Sequence, residues 1–235
     1  MIAIRALRLR STLADVTQFR DKNAEDADSW LTVTEDTINS VIESLEKMIE
    51  ECNTGANKKW ESIDKQTMID SLKELREWLS VRALLFRLLG EHKEVCYQPS
   101  GKPYLADHSY FISISHTKGY VSVILSDKVP VGIDIEQYGQ RVHRVAHKYM
   151  REDESVRLYK EDATWSLLLH WSAKEVMFKC MDTDGVDFRQ HLHIEPFLLQ
   201  EQGDFTAHEY RTEQKRSFRI HYLLHPEFVM TWSID

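Results

Sequence analysis

Two carboxylates stand two residues apart in the segment 131–136, which reads VGIDIE. Apolar residues alternate with the others there, and this pattern predicts a β-strand. Because alternate residues share one face of a strand, Asp134 and Glu136 are expected on the same side as Gly132, with the β-branched residues facing a core. Two carboxylates about 7 Å apart can share one hard cation, and Gly132 would let a bulky ligand approach the backbone. An ordinary solvated strand face with two acids explains this segment equally well.

A third carboxylate lies in the segment 171–179, WSAKEVMFK. Residues four apart stack along one side of a helix, so Trp171, Glu175 and Lys179 form a stripe, with Lys174 adjacent. Glu175 could complete the ligands of a cation, and the two lysines could neutralise phosphoryl charge. The simpler interpretation is a helical salt bridge between Glu175 and Lys179.

Two further segments carry polar groups at turns. Residues 111–116, FISISH, predict a strand that ends in a hydroxyl and an imidazole. His116 could bind a phosphate and Ser115 could add a donor, although a histidine at a turn is usually only solvated. Lys102 stands between Gly101 and Pro103 in a stiff turn, which indicates nothing by itself.

Periodic apolar patterns predict the elements that would position these residues. Two long helices are expected at 67–89, ending at Gly90, and at 164–181. Strands are expected at 2–9, 110–115, 120–125, 131–136, 191–199, 205–211, 218–224 and 228–234. The strands at 110–115, 120–125 and 131–136 are expected to form an antiparallel meander.

The order of the elements suggests an internal repeat. Strand, helix and strands occur twice, and each helix carries a tryptophan shortly before a cation, Trp78 before Arg82 and Trp171 before Lys174. This predicts an α+β fold of two similar halves, 1–126 and 127–235, each with a long helix on a small antiparallel sheet.

A basic segment follows the acidic strand. Arg141, Arg144, Lys148 and Arg151 recur at helical spacing, and no acid stands among them. Apolar residues interleave with these cations, at Val142, Val145, Ala146 and Tyr149. The segment is therefore predicted to form an amphipathic helix with a basic exposed side.

Composition limits the class of protein. The chain has 235 residues, of which 42% are hydrophobic, so it can bury a substantial core. Its net charge of −8 argues against a general nucleic-acid binder. Its three cysteines lack a CxxC motif, so neither a disulfide framework nor a zinc site is expected. No apolar run reaches the roughly 20 residues that span a membrane, and the first ten residues lack the pattern of a signal peptide, so we expect a cytoplasmic protein without membrane contact.

Taken together and in order, the four segments resemble the signatures of the Sfp-type 4′-phosphopantetheinyl transferases. Those signatures are a GKP turn, an F-N-x-S-H-S strand end, a G-x-D-x-E strand and a W-[ST]-x-K-E-x-x-x-K helix. The matching positions here are 101–103, 111–117, 132–136 and 171–179. Ser113 lies where the family usually has asparagine, and Thr117 where serine is common. The family's early cluster of basic residues has no match in the N-terminal third.

The resemblance implies a fold and a reaction. The fold would be pseudo-dimeric, with the site at the junction of two halves, and a monomer would suffice. The reaction would be Mg²⁺-dependent transfer of the phosphopantetheine arm of coenzyme A to a serine of an apo acyl or peptidyl carrier protein, with release of 3′,5′-ADP.

The resemblance also implies roles for individual residues. Asp134, Glu136 and Glu175 would hold Mg²⁺ against the pyrophosphate, and Lys174 and Lys179 would neutralise the phosphates. The nucleotide end of coenzyme A would be bound by Lys102, Ser115 and His116. Glu154 would be the base for the carrier serine, although the two acids before it leave that assignment open by a residue or two.

The basic helix would then meet the acidic helix that carrier proteins present, with Tyr149 and Met150 in apolar contact. A solvated helix face explains the same pattern equally well. Two rival functions use the same residues. A metal-dependent nuclease is disfavoured by the helical spacing of Glu175 and Lys179. A non-catalytic module that binds coenzyme A or a carrier protein remains the alternative.

Overall fold

The computed structural model describes residues 2–8, 43–44, 47–51, 54, 65–181 and 183–234. The chain divides into two compact units, Arg5–Lys93 and a second unit of Met1–Ile4 with Glu94–Asp235. All the segments with candidate chemistry belong to the second unit. The predicted boundary between residues 126 and 127 divides the chain by repeated elements, whereas these two units are defined by compactness. The predicted boundary and the predicted pseudo-symmetry therefore stay predictions.

The first unit contains one long described helix, α1, at Lys65–Leu89. Leu84 and Leu85 are buried along it. The helix ends at Gly90, whose positive φ of 71° suits a residue without Cβ. The Gly90 N–H donates to the Phe86 carbonyl at 2.7 Å, which satisfies one of the last carbonyls. The helix predicted at 67–89 is therefore confirmed.

The other elements follow in chain order. The strands are β1 Ile2–Arg8, β2 Val95–Tyr97, β3 Pro103–Leu105, β4 Phe111–Thr117, β5 Tyr120–Ser126, β6 Val131–Gln137, β7 Leu192–Ile194, β8 Gln202–Glu209, β9 Ser217–His225 and β10 Phe228–Ile234. The further helices are α2 Arg141–Val145, a 3₁₀ turn at Ala146–Lys148, α3 Thr164–Met181 and α4 Phe188–His191. The helix predicted at 164–181 is confirmed at both ends. The strand predicted at 191–199 is too long, because Pro196, which has no N–H to donate, follows β7 closely.

The sheets are antiparallel, and the fold mixes them with few helices. The larger sheet has the order β6-β10-β9-β8-β7, and a smaller one has the order β1-β5-β4, beside the hairpin β2-β3. Helix α3 packs on the larger sheet, where its Leu169, Val176 and Met177 join Ile220 and Tyr222 in the core. Each fully buried side chain of this size contributes about 1.5–3 kcal/mol. Among the described residues, no helix is long and apolar enough to cross a membrane.

The two sheets meet where β4 runs beside β6. Strand β6 pairs with β10 along one edge, so the predicted three-strand meander is wrong for β6, although β4 and β5 do form an antiparallel pair. Three N–H groups of β6 donate to hydroxyls of β4 instead, namely Ile133 to Ser113 at 3.2 Å, Ile135 to Ser115 at 3.3 Å and Gln137 to Thr117 at 3.2 Å. This constant offset makes β4 and β6 parallel neighbours joined by side chains, and we call the contact the β4–β6 seam.

Candidate active site

Asp134 is buried at the β4–β6 seam, with 4% of its surface exposed. Its Oδ1 atom accepts a hydrogen bond from the Ser115 hydroxyl at 2.9 Å and pairs with the Lys179 ammonium at 2.9 Å. The Oδ2 atom is also buried, and it has no hydrogen-bond partner among the described residues. The alternative of a solvated acid is therefore wrong for Asp134. Its carboxylate is buried, with Oδ1 held by two donors and Oδ2 without a hydrogen-bond partner among the described residues.

Gly132 serves packing rather than ligand approach. A Cβ atom at this position would lie 2.7 Å from the Cys180 sulfur and 2.8 Å from the Val176 carbonyl oxygen, both on α3. The missing side chain lets α3 approach β6 closely. The expectation that Gly132 opens the backbone to a ligand is thus corrected, since its effect is to bring the polar stripe of α3 to the acids of β6.

The predicted stripe on α3 faces β6. The Trp171 indole N–H donates to Glu136 Oε1 at 2.7 Å. The Lys179 ammonium donates to the Ile133 carbonyl at 2.8 Å and to Asp134 Oδ1. The ion pair of Lys179 therefore crosses to β6, which replaces the simpler interpretation of a salt bridge along the helix.

The pKa shifts show that three carboxylates form one cluster. Burial, together with the charges of Asp134 and Glu136, raises the pKa of Glu175 to about 7 against the opposing effect of Lys179. Burial and the charge of Asp134 also raise the pKa of Glu136, while Trp171 and Lys179 lower it. Charges affect one another this strongly only at short range. We call Asp134, Glu136 and Glu175 the acid cluster.

A pocket of about 740 Å³ adjoins the acid cluster. Its wall combines Lys102 of the GKP turn, Ile114 of β4 and Glu175, Phe178 and Lys179 of α3. The volume lies in the usual range of small-molecule sites. The structure thus brings the GKP turn to the acid helix, as a shared site requires. Sequence reasoning missed Phe178, although an exposed aromatic residue directly before Lys179 could have indicated it.

Residues 130–233 match the family model of the 4′-phosphopantetheinyl transferase superfamily. The match covers less than half of the 235 residues, so it shows a similarity to this superfamily over that part of the chain. The matched segment contains the whole acid cluster and Lys179, whereas the GKP turn and β4 precede it. No curated protein matches the chain.

Members of this superfamily act on coenzyme A and typically use a divalent metal, and the acid cluster has groups that suit such a cation. Its donors are all oxygen, which suits Mg²⁺, and the leftover Oδ2 of Asp134 offers a buried ligand. Within the described residues, no three His, Cys, Asp or Glu side chains have the geometry of a complete metal site. The two findings agree, because Mg²⁺ is usually held by one or two carboxylates together with substrate phosphates and water.

The other residues expected to bind coenzyme A divide into two groups. Lys102 lines the pocket, and His116 is exposed near the end of β4. Ser115 is buried and bonded to Asp134 and to the Ile135 N–H, so it does not face a nucleotide. The structure therefore does not show the contact with the nucleotide that was expected of Ser115.

Lys174 and Glu154 form an ion pair on the buried side of α3, and both side chains are 0% exposed. The Lys174 ammonium donates to Glu154 Oε2 at 2.8 Å, to the Tyr149 carbonyl at 2.6 Å and to the Phe188 carbonyl at 3.2 Å. The Glu154 carboxylate also accepts from the backbone N–H groups of Arg151 at 2.9 Å and Ile194 at 2.8 Å. Both side chains are enclosed in this arrangement. The phosphate contact expected of Lys174 and the base role expected of Glu154 would therefore require this ion pair to open.

The basic segment is less regular than predicted. Helix α2 ends at Val145 and a 3₁₀ turn follows, so the helix does not continue to Arg151. Val142 and Tyr149 are buried, which confirms the apolar side. The exposed cations are Arg141, Arg144 and Lys148, which we call the basic face. Arg151 is half-buried and held by Asp153 at 2.8 Å, so it does not belong to this face.

Proposed function

We propose that the protein is an Sfp-type enzyme that transfers the 4′-phosphopantetheine group of coenzyme A to a serine of an acyl or peptidyl carrier protein with the help of Mg²⁺. The observation that carries this proposal is the acid cluster, whose Glu175 lines the pocket together with Lys179. The match of residues 130–233 to the family model of this superfamily supports the same reaction class.

The pocket wall suits the three parts of coenzyme A. Lys102 on the pocket wall, and the exposed His116 near the end of β4, would offer hydrogen-bonding groups for the phosphorylated nucleotide. Lys179 and Glu175 line the same pocket and would meet a metal-bound pyrophosphate there. The apolar side chains of Ile112, Ile114 and Phe178 suit the pantetheine arm.

The reaction is a phosphoryl transfer. A Mg²⁺ ion held by the acid cluster would neutralise charge on the phosphate oxygens. The serine oxygen bonds to the β-phosphorus, the bond from this phosphorus to the bridging oxygen breaks, and 3′,5′-ADP leaves with that oxygen. Lys179 adds positive charge beside Asp134 as charge develops on the leaving phosphate. The serine proton passes to a base, and Glu154 could serve only after it leaves its hydrogen bonds with Lys174, Arg151 and Ile194.

The basic face suits an acidic partner. Carrier proteins present acidic residues beside the modified serine, and opposite charges increase the rate of encounter. Met150 is half-buried next to this face and can add apolar contact.

The test is to incubate the full chain with coenzyme A, Mg²⁺ and a panel of apo carrier proteins, and to measure carrier mass. We expect at least one carrier to gain the mass of one phosphopantetheine group. Asp134→Asn should lower the rate by about 100-fold or more. The matched control is Asp204→Asn, which changes a surface acid paired with Arg219 and should keep the rate. Coenzyme A binding without a mass gain on any carrier would instead support the non-catalytic binding module.

A further inference from the structure

The Ser115 hydroxyl makes two hydrogen bonds inside the β4–β6 seam. It accepts from the Ile135 N–H at 3.3 Å and donates to Asp134 Oδ1 at 2.9 Å. We infer that Ser115 is a positioning residue that orients the Asp134 carboxylate for a divalent cation. This inference rests on the proposed function, because it concerns the cation of that reaction.

The bonds of Asp134 explain how the orientation arises. A carboxylate rotates about its bond to Cβ unless its oxygens are held. Two donors from different elements meet on Oδ1, the Ser115 hydroxyl from β4 and the Lys179 ammonium from α3. They fix the plane of the carboxylate and leave Oδ2 buried without a partner among the described residues. Oδ2 is therefore presented as a ligand whose orientation is already set.

The direction of the Ser115 bonds follows from its chemistry. A serine hydroxyl has one proton to donate and two lone pairs that accept. The backbone N–H of Ile135 can only donate, so it takes a lone pair, and the single proton of Ser115 goes to Asp134. Since Ser115 is 7% exposed and its proton is used, a nucleotide would have to displace Asp134 to be bound by this hydroxyl.

The seam contains a built-in control. Ser113 accepts from the Ile133 N–H at 3.2 Å, which is the same kind of bond that Ser115 accepts from Ile135. Ser113 is also as deeply buried, with 4% of its surface exposed. Of the three hydroxyls in the seam, Ser115 is the one whose bond to Asp134 the structure records. Comparison of alanine variants at the two positions thus separates the seam from the carboxylate.

The experiment measures Mn²⁺ binding to the full chain by electron paramagnetic resonance of free Mn²⁺, with and without coenzyme A. Ser115→Ala should weaken Mn²⁺ binding by about 10-fold or more, which is typical of losing a hydrogen bond to a metal ligand. Ser113→Ala should stay within about twofold of wild type. The melting temperature of both alanine variants should fall by a few degrees, and further for Ser115→Ala, which loses its bond to Asp134 as well as a seam hydrogen bond.

Ser115→Thr keeps the hydroxyl and should recover Mn²⁺ binding, which supports the inference even if Ser115→Ala folds poorly. The inference is overturned if folded Ser115→Ala binds Mn²⁺ as tightly as wild type, or if Ser113→Ala loses as much affinity as Ser115→Ala. If the wild-type protein itself binds no Mn²⁺ in the presence of coenzyme A, the cation of the proposed function fails and the inference fails with it. The wild-type measurement therefore distinguishes the two failures.

Discussion

The Lys174→Met variant removes one partner of a fully buried ion pair. The Lys174 ammonium lies 2.8 Å from Glu154 Oε2, and both side chains are 0% exposed. Methionine fills a similar volume, but it leaves the Glu154 carboxylate with only the two backbone N–H groups of Arg151 and Ile194. Leaving a buried charge without its partner costs about 3–5 kcal/mol.

This loss is large enough to measure by thermal unfolding. For a chain of this size, 1 kcal/mol shifts Tm by about 2–4 °C, so we expect Lys174→Met to lower Tm by about 6–20 °C. The double variant Lys174→Met/Glu154→Gln should recover part of the loss, because no uncompensated charge then remains. Circular dichroism melts of the single and double variants measure this coupling.

The control is Lys179→Met, on the other side of α3. Its ammonium is partly exposed and pairs with Asp134 at 2.9 Å, so its removal should cost at most about 2 kcal/mol while transfer activity falls strongly. The prediction is wrong if Lys174→Met melts at the wild-type temperature but has lost transfer. Lys174 would then act on the substrate rather than stabilise the fold.

Three other predictions concern Glu175, Gly132 and the basic face. In buffer with a chelator, stability should fall by up to about 3 kcal/mol as pH rises from about 4.5 to about 7, because the pKa of Glu175 is raised from 4.5 to about 7 and the native state therefore binds its proton more tightly than the unfolded state. In urea unfolding, the stability of Glu175→Gln should not show this fall with pH. A variant with the same pH dependence as wild type would contradict the prediction. Gly132→Ala should lower the free energy of unfolding by about 1–3 kcal/mol, since its Cβ meets the Val176 carbonyl at 2.8 Å, whereas a Cβ at the control position Gly139 meets nothing within 4 Å; equal melts of the two variants would count against the close approach of α3. Arg144→Glu should lower kcat/KM for an acidic carrier by about 10-fold at low salt and less at high salt, and an equal loss in the exposed charge-reversal control Lys215→Glu would show that only net charge matters.

The sequence predicts the elements of the site better than their surroundings. Strand β6 and helix α3 follow from a period of two around Asp134 and a helical stripe through Glu175 and Lys179. These periodicities depend only on which faces are apolar, so they predict a strand or a helix without knowledge of the neighbouring elements. The approach of α3 to β6 is also encoded, at Gly132, but a lone glycine does not say which neighbour needs the space.

The β4–β6 seam could not be predicted in this way. The hydroxyls of Ser113 and Ser115 replace a backbone ladder there, and a serine in a strand gives no sign of whether it faces a ligand or a neighbouring N–H. The burial of Asp134 depends on this seam, so it could not be predicted from the sequence either.

The place of Lys174 had a readable signal. It stands seven residues after Leu167 and three before Met177, and both are buried on α3. Residues at these spacings share one side of a helix, so Lys174 belongs to the core side. Its partner Glu154 lies 20 residues away along the chain in a loop, and no local pattern links the two.

We propose that carboxylates of the acid cluster hold one divalent cation together with coenzyme A. The most direct test is anomalous diffraction at the manganese edge from crystals of the full chain with coenzyme A and Mn²⁺. We expect one strong peak in contact with Asp134 Oδ2 and with the pyrophosphate. A manganese peak away from the three carboxylates, while coenzyme A occupies the pocket, would contradict it.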